Sequence, residues 1–513
     1  MGRRSGRRAG SVELVAGLDS SFAQLPRRQL AEAALVAAAD LGAEAAEVRV
    51  EHIRTQLVQV RDHDVETALD DVELGLGIRV LHHGSFGFAA TVELHPEAAA
   101  AAARQAVALA RATAAVGGAP AELAAEPGVG TVEWISAFDV DPTAVPLADK
   151  VARLLAWSAT LLEAAPVDHV SASVMAVSEH KHFADLSGNV AVQRRVRIHP
   201  VVEVFAAGTD GFESMRTLAP PAGRGWEYLE GTGCDLAGEV EQLPELLAEK
   251  LAAPSVEPGP YDLVIDPSNL WLTIHESIGH ATELDRALGY EAAYAGTSFA
   301  TPDRLGSLRY GAPSMHVTGD RTIRHGLATV AVDDEGVPAG AFDLVRDGVL
   351  VGYQLDRTMA AEGGLGRSNG CAFADSPLHI PMQRMANVSL QPVADGPGTG
   401  ELITGTDRGI YVVGDKSWSI DMQRYNFQFT GQRFYRIDRG RLAGQLRDVA
   451  YQATTTDFWG AMDAVGGPGT WVLGGAMNCG KGQPGQVAPV SHGCPAARFR
   501  HVNVLNTRGE AGR

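Results

Sequence analysis

Two histidines and a glutamate stand together in the segment His275-Glu276-Ser277-Ile278-Gly279-His280. Imidazole nitrogens suit a zinc ion, and a carboxylate beside the first can take a proton from a water the ion has activated, which is the chemistry of peptide-bond hydrolysis. The spacing is His-Glu-x-x-x-His, one residue longer than the common zinc-peptidase signature. At about 100° per residue, positions four apart lie about 40° from one another around an α-helix, and positions five apart about 140°. Imidazoles so placed on a regular helix cannot face one ion. A one-residue π-bulge restores a shared face, and such bulges gather at functional sites. Gly279, which costs about 1 kcal/mol relative to Ala in a helix interior, is the natural place for that distortion.

A catalytic zinc ion normally takes three protein ligands, so two histidines are not enough. The candidates for the third are Cys479, in Gly474-Gly475-Ala476-Met477-Asn478-Cys479-Gly480-Lys481-Gly482-Gln483, and His492 or Cys494, in Ser491-His492-Gly493-Cys494-Pro495. Glycines around Cys479 let a backbone approach a metal closely, but a free cysteine is as readily a small buried residue. Residue types alone leave the choice open. Glu283, three residues beyond His280, is spaced to reach back along a helix and accept a hydrogen bond from that imidazole, or to lie in solvent.

These groups need elements to hold them. Asp266-Pro267-Ser268 is a helix start, so the His-Glu segment is expected on the helix that follows. Upstream, the apolar periodicity predicts helices over residues 30–41, 96–115, 147–163 and 236–251. Alternation predicts a strand over 47–51, a pair over 74–81 and 85–90 joined at His82-His83-Gly84, and several antiparallel strands over 170–205. A Pro/Gly-rich breaker occupies 254–260. Downstream the pattern is mostly strand and turn, with hairpins over 343–351, turning at Asp347-Gly348, and over 433–442. The expected fold is α+β: a basic disordered tail over 1–24, an N-terminal α+β domain with a linker helix over 25–257, and a strand-rich catalytic domain over 258–513 that carries one metal-binding helix.

The chain has 513 residues, 45% of them hydrophobic and 20% charged, enough for more than one core. With 43 basic and 62 acidic residues, the formal charge of −19 disfavours a phosphate backbone as partner. No run of about 18 apolar residues predicts a membrane span, and the basic start Met1-Gly2-Arg3-Arg4 is not followed by a signal-length apolar stretch. Four cysteines without a Cys-x-x-Cys pair fit a reducing cytoplasm.

The C-terminal half resembles the TldD/PmbA (TldD/TldE) metallopeptidase family, and within it the metal-bearing TldD subunit. The resemblance rests on the His275–His280 segment with Glu283 and Asp285, and on Ala295-Gly296-Thr297-Ser298 and Val332-Asp333-Asp334-Glu335-Gly336-Val337-Pro338. It continues in Pro381-Met382-Gln383-Arg384-Met385-Ala386-Asn387, Arg408-Gly409-Ile410-Tyr411 and Asn478-Cys479-Gly480-Lys481-Gly482-Gln483. Gly75-Leu76-Gly77-Ile78-Arg79-Val80 and Gly87-Phe88 extend it more loosely into the N-terminal half. The stretch Gly482-Gln483-Pro484-Gly485-Gln486 is longer than the family's, which bears on the shape of a nearby pocket.

This resemblance implies that His275, His280 and Cys479 ligate Zn2+ and that Glu276 is the general base. It also implies cleavage of unfolded or extended peptides, and a heterodimer with a related metal-free TldE/PmbA-like subunit, a homodimer being the alternative. Arg384 and Asn387 lie in a family-typical segment and are candidates for binding substrate backbone or carboxylate. Two rival readings are a non-enzymatic modulator subunit of a peptidase or gyrase-related complex, and hydrolysis by Cys479 with a histidine partner. The intact His-Glu-x-x-x-His segment argues against the first.

Overall fold

The computed structural model describes residues 18–208 and 211–510. Most of the expected 1–24 tail lies outside the described residues. Its end is corrected: Ser20–Gln24 is a helix capped by Asp19, and Phe22 on it is fully buried.

Residues 45–216 build a seven-stranded sheet on two long hairpins, Ala45–Arg61 with Asp64–His82 and His169–Asp185 with Val190–Gly208. Ser85–Thr91 and Thr131–Ile135 lie at the two ends of the strand order, and Gly211–Arg216 pairs with Val190–Gly208. The strand expected over 47–51 is therefore 17 residues long. Its even-numbered residues explain one face. Val48 and Val50 pack under helices Arg27–Asp40 and Pro96–Val116, while Val58 and Val60 pack under Leu147–Leu162 and Leu236–Ala252. The alanines of the first helix pair bring it close to the sheet: a Cβ at Gly87 would lie 1.9 Å from the Ala106 carbonyl oxygen.

The odd-numbered residues Glu47, Arg49 and Glu51 are buried as well, against the C-terminal half. Arg79 bridges Glu47 and Glu335 at 2.6 Å each, and Lys181 meets Asp334 at 2.5 Å. The acidic run at 333–335 thus supplies countercharges to a sheet face that would otherwise hold buried, unpaired cations.

Beyond residue 258, strands close on themselves. Arg408–Ile420, Gly259–Ile265, Ala497–Asn506, Val449–Thr454 and Asn426–Asp438 pair in that order, and the last pairs with the first. A second sheet of four short strands and the hairpin Val472–Lys481/Gln486–Cys494 lie beside them. The helix following Gly259–Ile265 is packed among these layers, so every residue from 269 to 286 is buried. A helix apolar on all sides has no other stable place. Both C-terminal hairpins occur where the sequence predicts them, with Asp347 and Arg439 at positive φ. No helix among the described residues is long and apolar enough to cross a membrane.

Candidate metal centre

The Asp266 carboxylate accepts hydrogen bonds from the backbone N–H and the hydroxyl of Ser268, and Pro267 fills the first turn, which starts the helix Pro267–Ile274. At His275–Gly279 the helix widens into one π turn, with the His280 N–H bonded to the His275 carbonyl, and then tightens over His280–Thr282. That i to i−5 bond absorbs the extra residue in the spacing and returns the two rings to one side, their centroids 4.7 Å apart. Gly279 itself keeps ordinary right-handed angles, φ −51° and ψ −61°. The turn therefore does not draw on glycine's conformational freedom, contrary to expectation. Glycine is needed for packing, since a Cβ there would lie 2.8 Å from the Met385 sulfur.

His275, His280 and Cys479 are all buried and bring one potential ligand atom each to within 4.8 Å of one another. The Cys479 sulfur lies 3.6 Å from His280 Nε2. Cys479 sits where the pairing of Val472–Lys481 with Gln486–Cys494 slips, between Ala476 and Cys479, and a bulge of this kind re-aims a side chain. The neighbouring glycines act at a distance from the sulfur. Gly474 makes room for Trp271 on the metal-site helix, whose Cγ a Cβ would approach to 2.6 Å, whereas Gly480 borders open space.

The hydrogen bonds fix which ring nitrogens are free. His492 Nδ1 lies 2.9 Å from the Val388 carbonyl, which can only accept, so this nitrogen carries the hydrogen. Burial holds His492 well below the usual histidine pKa, so the ring is neutral and its Nε2 accepts. The group 2.7 Å away is His275 Nδ1, which must donate, and His275 Nε2 is left with a lone pair. His280 donates from Nδ1 to Glu283 at 2.8 Å, which turns its Nε2 to the side of Cys479. Both imidazoles are thus oriented as metal ligands usually are, the second nitrogen held by a buried acceptor.

Burial would raise the Cys479 pKa, but His280 and Arg384 more than offset it and leave it lowered, toward the thiolate a metal needs. Glu283 is buried, yet Lys481 at 3.0 Å, His280 and Arg286 hold its carboxyl well below the usual range. It is the partner of His280 and not a solvated carboxylate. Burial likewise works against ionised Glu276, and the surrounding histidines with Arg424 and Arg286 outweigh it, so its pKa is lowered. Arg424 Nη1 lies 2.6 Å from Glu276. This donor set, two imidazoles each held through its second nitrogen, a thiol biased to ionise and an adjacent carboxylate, fits a zinc ion.

A cavity of about 540 Å³ opens on these residues. Arg216, Leu218 and Pro220 from the N-terminal half form one wall, and Trp271, Arg424 and residues 474–480 the other. The extension at 482–486 forms the hairpin tip and does not line it.

Two expectations are corrected. Arg384 and Asn387 do not line the cavity: the Arg384 Nη atoms and the Asn387 amide are turned to buried backbone groups. Arg384 donates to the carbonyls of Cys479 and, at 3.1 Å, Gln486. Asn387 accepts from Ala328 N–H at 3.0 Å and donates to Asp320 O at 2.7 Å. Of the other third-ligand candidates, His492 stands behind His275, and Cys494 packs on the start of the helix with its sulfur 3.7 Å from the Pro267 carbonyl. Sequence reasoning missed Arg424 altogether. It sits in a turn at positive φ, 62°, with Asp421 accepting from the N–H groups of Gln423, Tyr425 and Asn426. Nothing in the local sequence links that turn to Glu276, 148 residues away. Lys481, whose ammonium holds Glu283 and Asp285, is likewise not distinguished by its local sequence.

The profile of the PmbA/TldA metallopeptidase C-terminal domain matches residues 258–506, and that of the family's domain 1 matches residues 46–110. A metalloprotease of Methanothermobacter thermautotrophicus is 28% identical over 474 residues, which cover 90% of this chain and 96% of the relative. A zinc metalloprotease TldD homolog of Saccharolobus solfataricus is 24% identical over 271 residues, 53% of this chain and 57% of the relative. The crystal structure of TldE from Thermococcus kodakarensis superposes with a TM-score of 0.69 at 15% identity, covering 93% of this chain and 100% of the other, a likeness of fold.

Proposed function

The chain belongs to the PmbA/TldD metallopeptidase family, and we propose that it is a zinc-dependent peptidase acting on unfolded or extended peptides, with His275, His280 and Cys479 as ligands and Glu276 as general base. The observation that carries this reading is the convergence of two imidazoles and a thiol beside a buried carboxylate on one cavity wall. Zinc bound there supplies Lewis-acid polarisation of the scissile carbonyl and an acidified water.

The chain's own groups do the rest. Glu276 takes a proton from water in the cavity and returns it to the leaving amine. Arg424 holds that carboxylate ionised and fixes its orientation. Among the described residues Val472–Lys481 is paired on one side only, and residues 474–480 line the cavity, so an extended peptide adds along this strand through main-chain hydrogen bonds. Such binding is tolerant of sequence, and walls from both halves of the chain exclude folded substrates.

Assembly with a related metal-free subunit, in the cytoplasm, would enclose the cavity further. The four free cysteines and the net charge of −19 agree with a reducing compartment and with a peptide in place of a nucleic acid as partner. The test is zinc content together with cleavage of an unfolded peptide, by this chain alone and co-expressed with a candidate partner. One zinc ion per chain, lost in Cys479→Ala, and activity abolished by chelation and restored by zinc are expected. A metal-free preparation with full activity, inhibited only by thiol alkylation, overturns the proposal in favour of cysteine chemistry.

A further inference from the structure

Away from the metal centre, Arg321 is 2% exposed and its side chain forms no hydrogen bond or ion pair with the described residues; its Nε is buried without a partner. An arginine cannot shed its charge at any physiological pH, and a buried cation without hydrogen bonds is costly even with the Asp333 carboxyl near enough to feel its charge. The nearby carboxylates are already engaged. Glu179 receives Arg195 and Arg197 at 2.9 and 2.8 Å, and Asp334 receives Lys181 and the Ala374 N–H. Asp333 accepts from the N–H groups of Glu335, Val337 and Ala372.

Arg321 borders a cavity of about 10 Å³ that it shares with Arg195 and Arg384, with no acidic side chain among the described residues that line it. The remaining wall is Phe373, Met385, Ala328, Ala488 and Pro489. A second space of about 10 Å³ beside Arg321 and Arg195 is, by contrast, lined by Glu179, Lys181 and Asp334. Arg195 also stacks over Phe373, 4.9 Å from the ring centroid, and Arg384 Nε is a second buried donor without a partner. Three arginines from both halves of the chain therefore line a space of about one water-sized sphere.

We infer that this cavity is a binding site for one small monovalent anion of the halide class, held by Arg195, Arg321 and Arg384. The small volume favours a single-atom anion over phosphate or sulfate, and Arg321 with the free Nε of Arg384 supplies the charge and hydrogen bonds a desolvated halide requires. Because Arg195 lies on Val190–Gly208 and Arg384 holds the Cys479 carbonyl, the anion ties the N-terminal sheet to the strand that carries the cysteine. The site does not depend on the proposed peptidase chemistry.

Thermal unfolding of the full-length, metal-free protein tests this, in sodium chloride, bromide, sulfate and gluconate at constant ionic strength. Chloride and bromide are expected to raise Tm by a few degrees in a saturable way, sulfate and gluconate not. Arg321→Met is expected to abolish the difference. Crystals soaked in bromide give a second readout that needs no variant: an anomalous peak between the three guanidinium groups. Equal Tm in chloride and gluconate for the wild-type chain, or bromide found only at the surface, overturns the inference.

Discussion

His275 donates a 2.7 Å hydrogen bond from Nδ1 to Nε2 of His492, 217 residues further along the chain, and His492 is anchored in turn on the Val388 carbonyl. The relay leaves His275 only one nitrogen, Nε2, to offer a metal. Removal of such an outer partner typically costs 10- to 100-fold in metal affinity. His492→Ala is therefore expected to weaken zinc binding by about that factor, measured by competition with a chromophoric chelator, and His492→Gln to recover part of it through its amide oxygen. Unchanged affinity in His492→Ala would mean the relay does not orient His275.

Glu276→Gln is expected to keep zinc and lose peptidase activity by about 10²-fold or more, because an amide cannot take up the water's proton. His275→Ala should lose both. Metal analysis beside turnover of an unfolded peptide separates the two cases, and near-normal turnover of metal-loaded Glu276→Gln would exclude a general-base role.

Gly279→Ala places a Cβ 2.8 Å from the Met385 sulfur inside the core. A destabilisation of about 1–3 kcal/mol is expected from overpacking. In the Met385→Ala background the same change should cost much less. A denaturant-unfolding double-mutant cycle measures the coupling, and additive costs would show that the contact is not what requires glycine.

The Asp356 carboxyl, buried and facing Glu335, is pushed up to about 8, from an unperturbed value of 3.8. A carboxyl with a raised folded-state pKa contributes nothing below the unfolded value. It destabilises increasingly as pH rises from about 4 to about 8, because the folded chain binds the proton more tightly. Asp356→Asn, which retains an oxygen to cap Met359 N–H, is expected to raise Tm at pH 8.5 and to leave it nearly unchanged at pH 4. An equal gain at both pH values would contradict the shift.

Much of the site was legible in the sequence because its determinants are local. The Asp266-Pro267-Ser268 start follows from capping rules, and the π turn follows from a five-residue spacing that a regular helix cannot reconcile with one ion. The turns at Asp347-Gly348 and His83-Gly84 followed from residue pairs that accept positive φ. The strand over 47–51 was recognised by alternation, but its length was not, because pairing with neighbours extends it through residues of mixed polarity.

Tertiary structure decided what depends on groups far apart in the chain. Gly279 was read as a backbone requirement and is a packing one, set by Met385. Arg384 and Asn387 carry the polar chemistry of a substrate site but face inward, where burial commits them to backbone carbonyls and amides. Arg424 reaches Glu276 from a turn no local pattern connects to it. The sequence by itself determined which helix carries the histidines and that its regularity must break between them, since capping and helical periodicity act over a few residues. Only the folded chain decided which cysteine faces them, which nitrogens are free and which charges are paired, because those depend on distances between strands that the sequence separates by about a hundred residues or more.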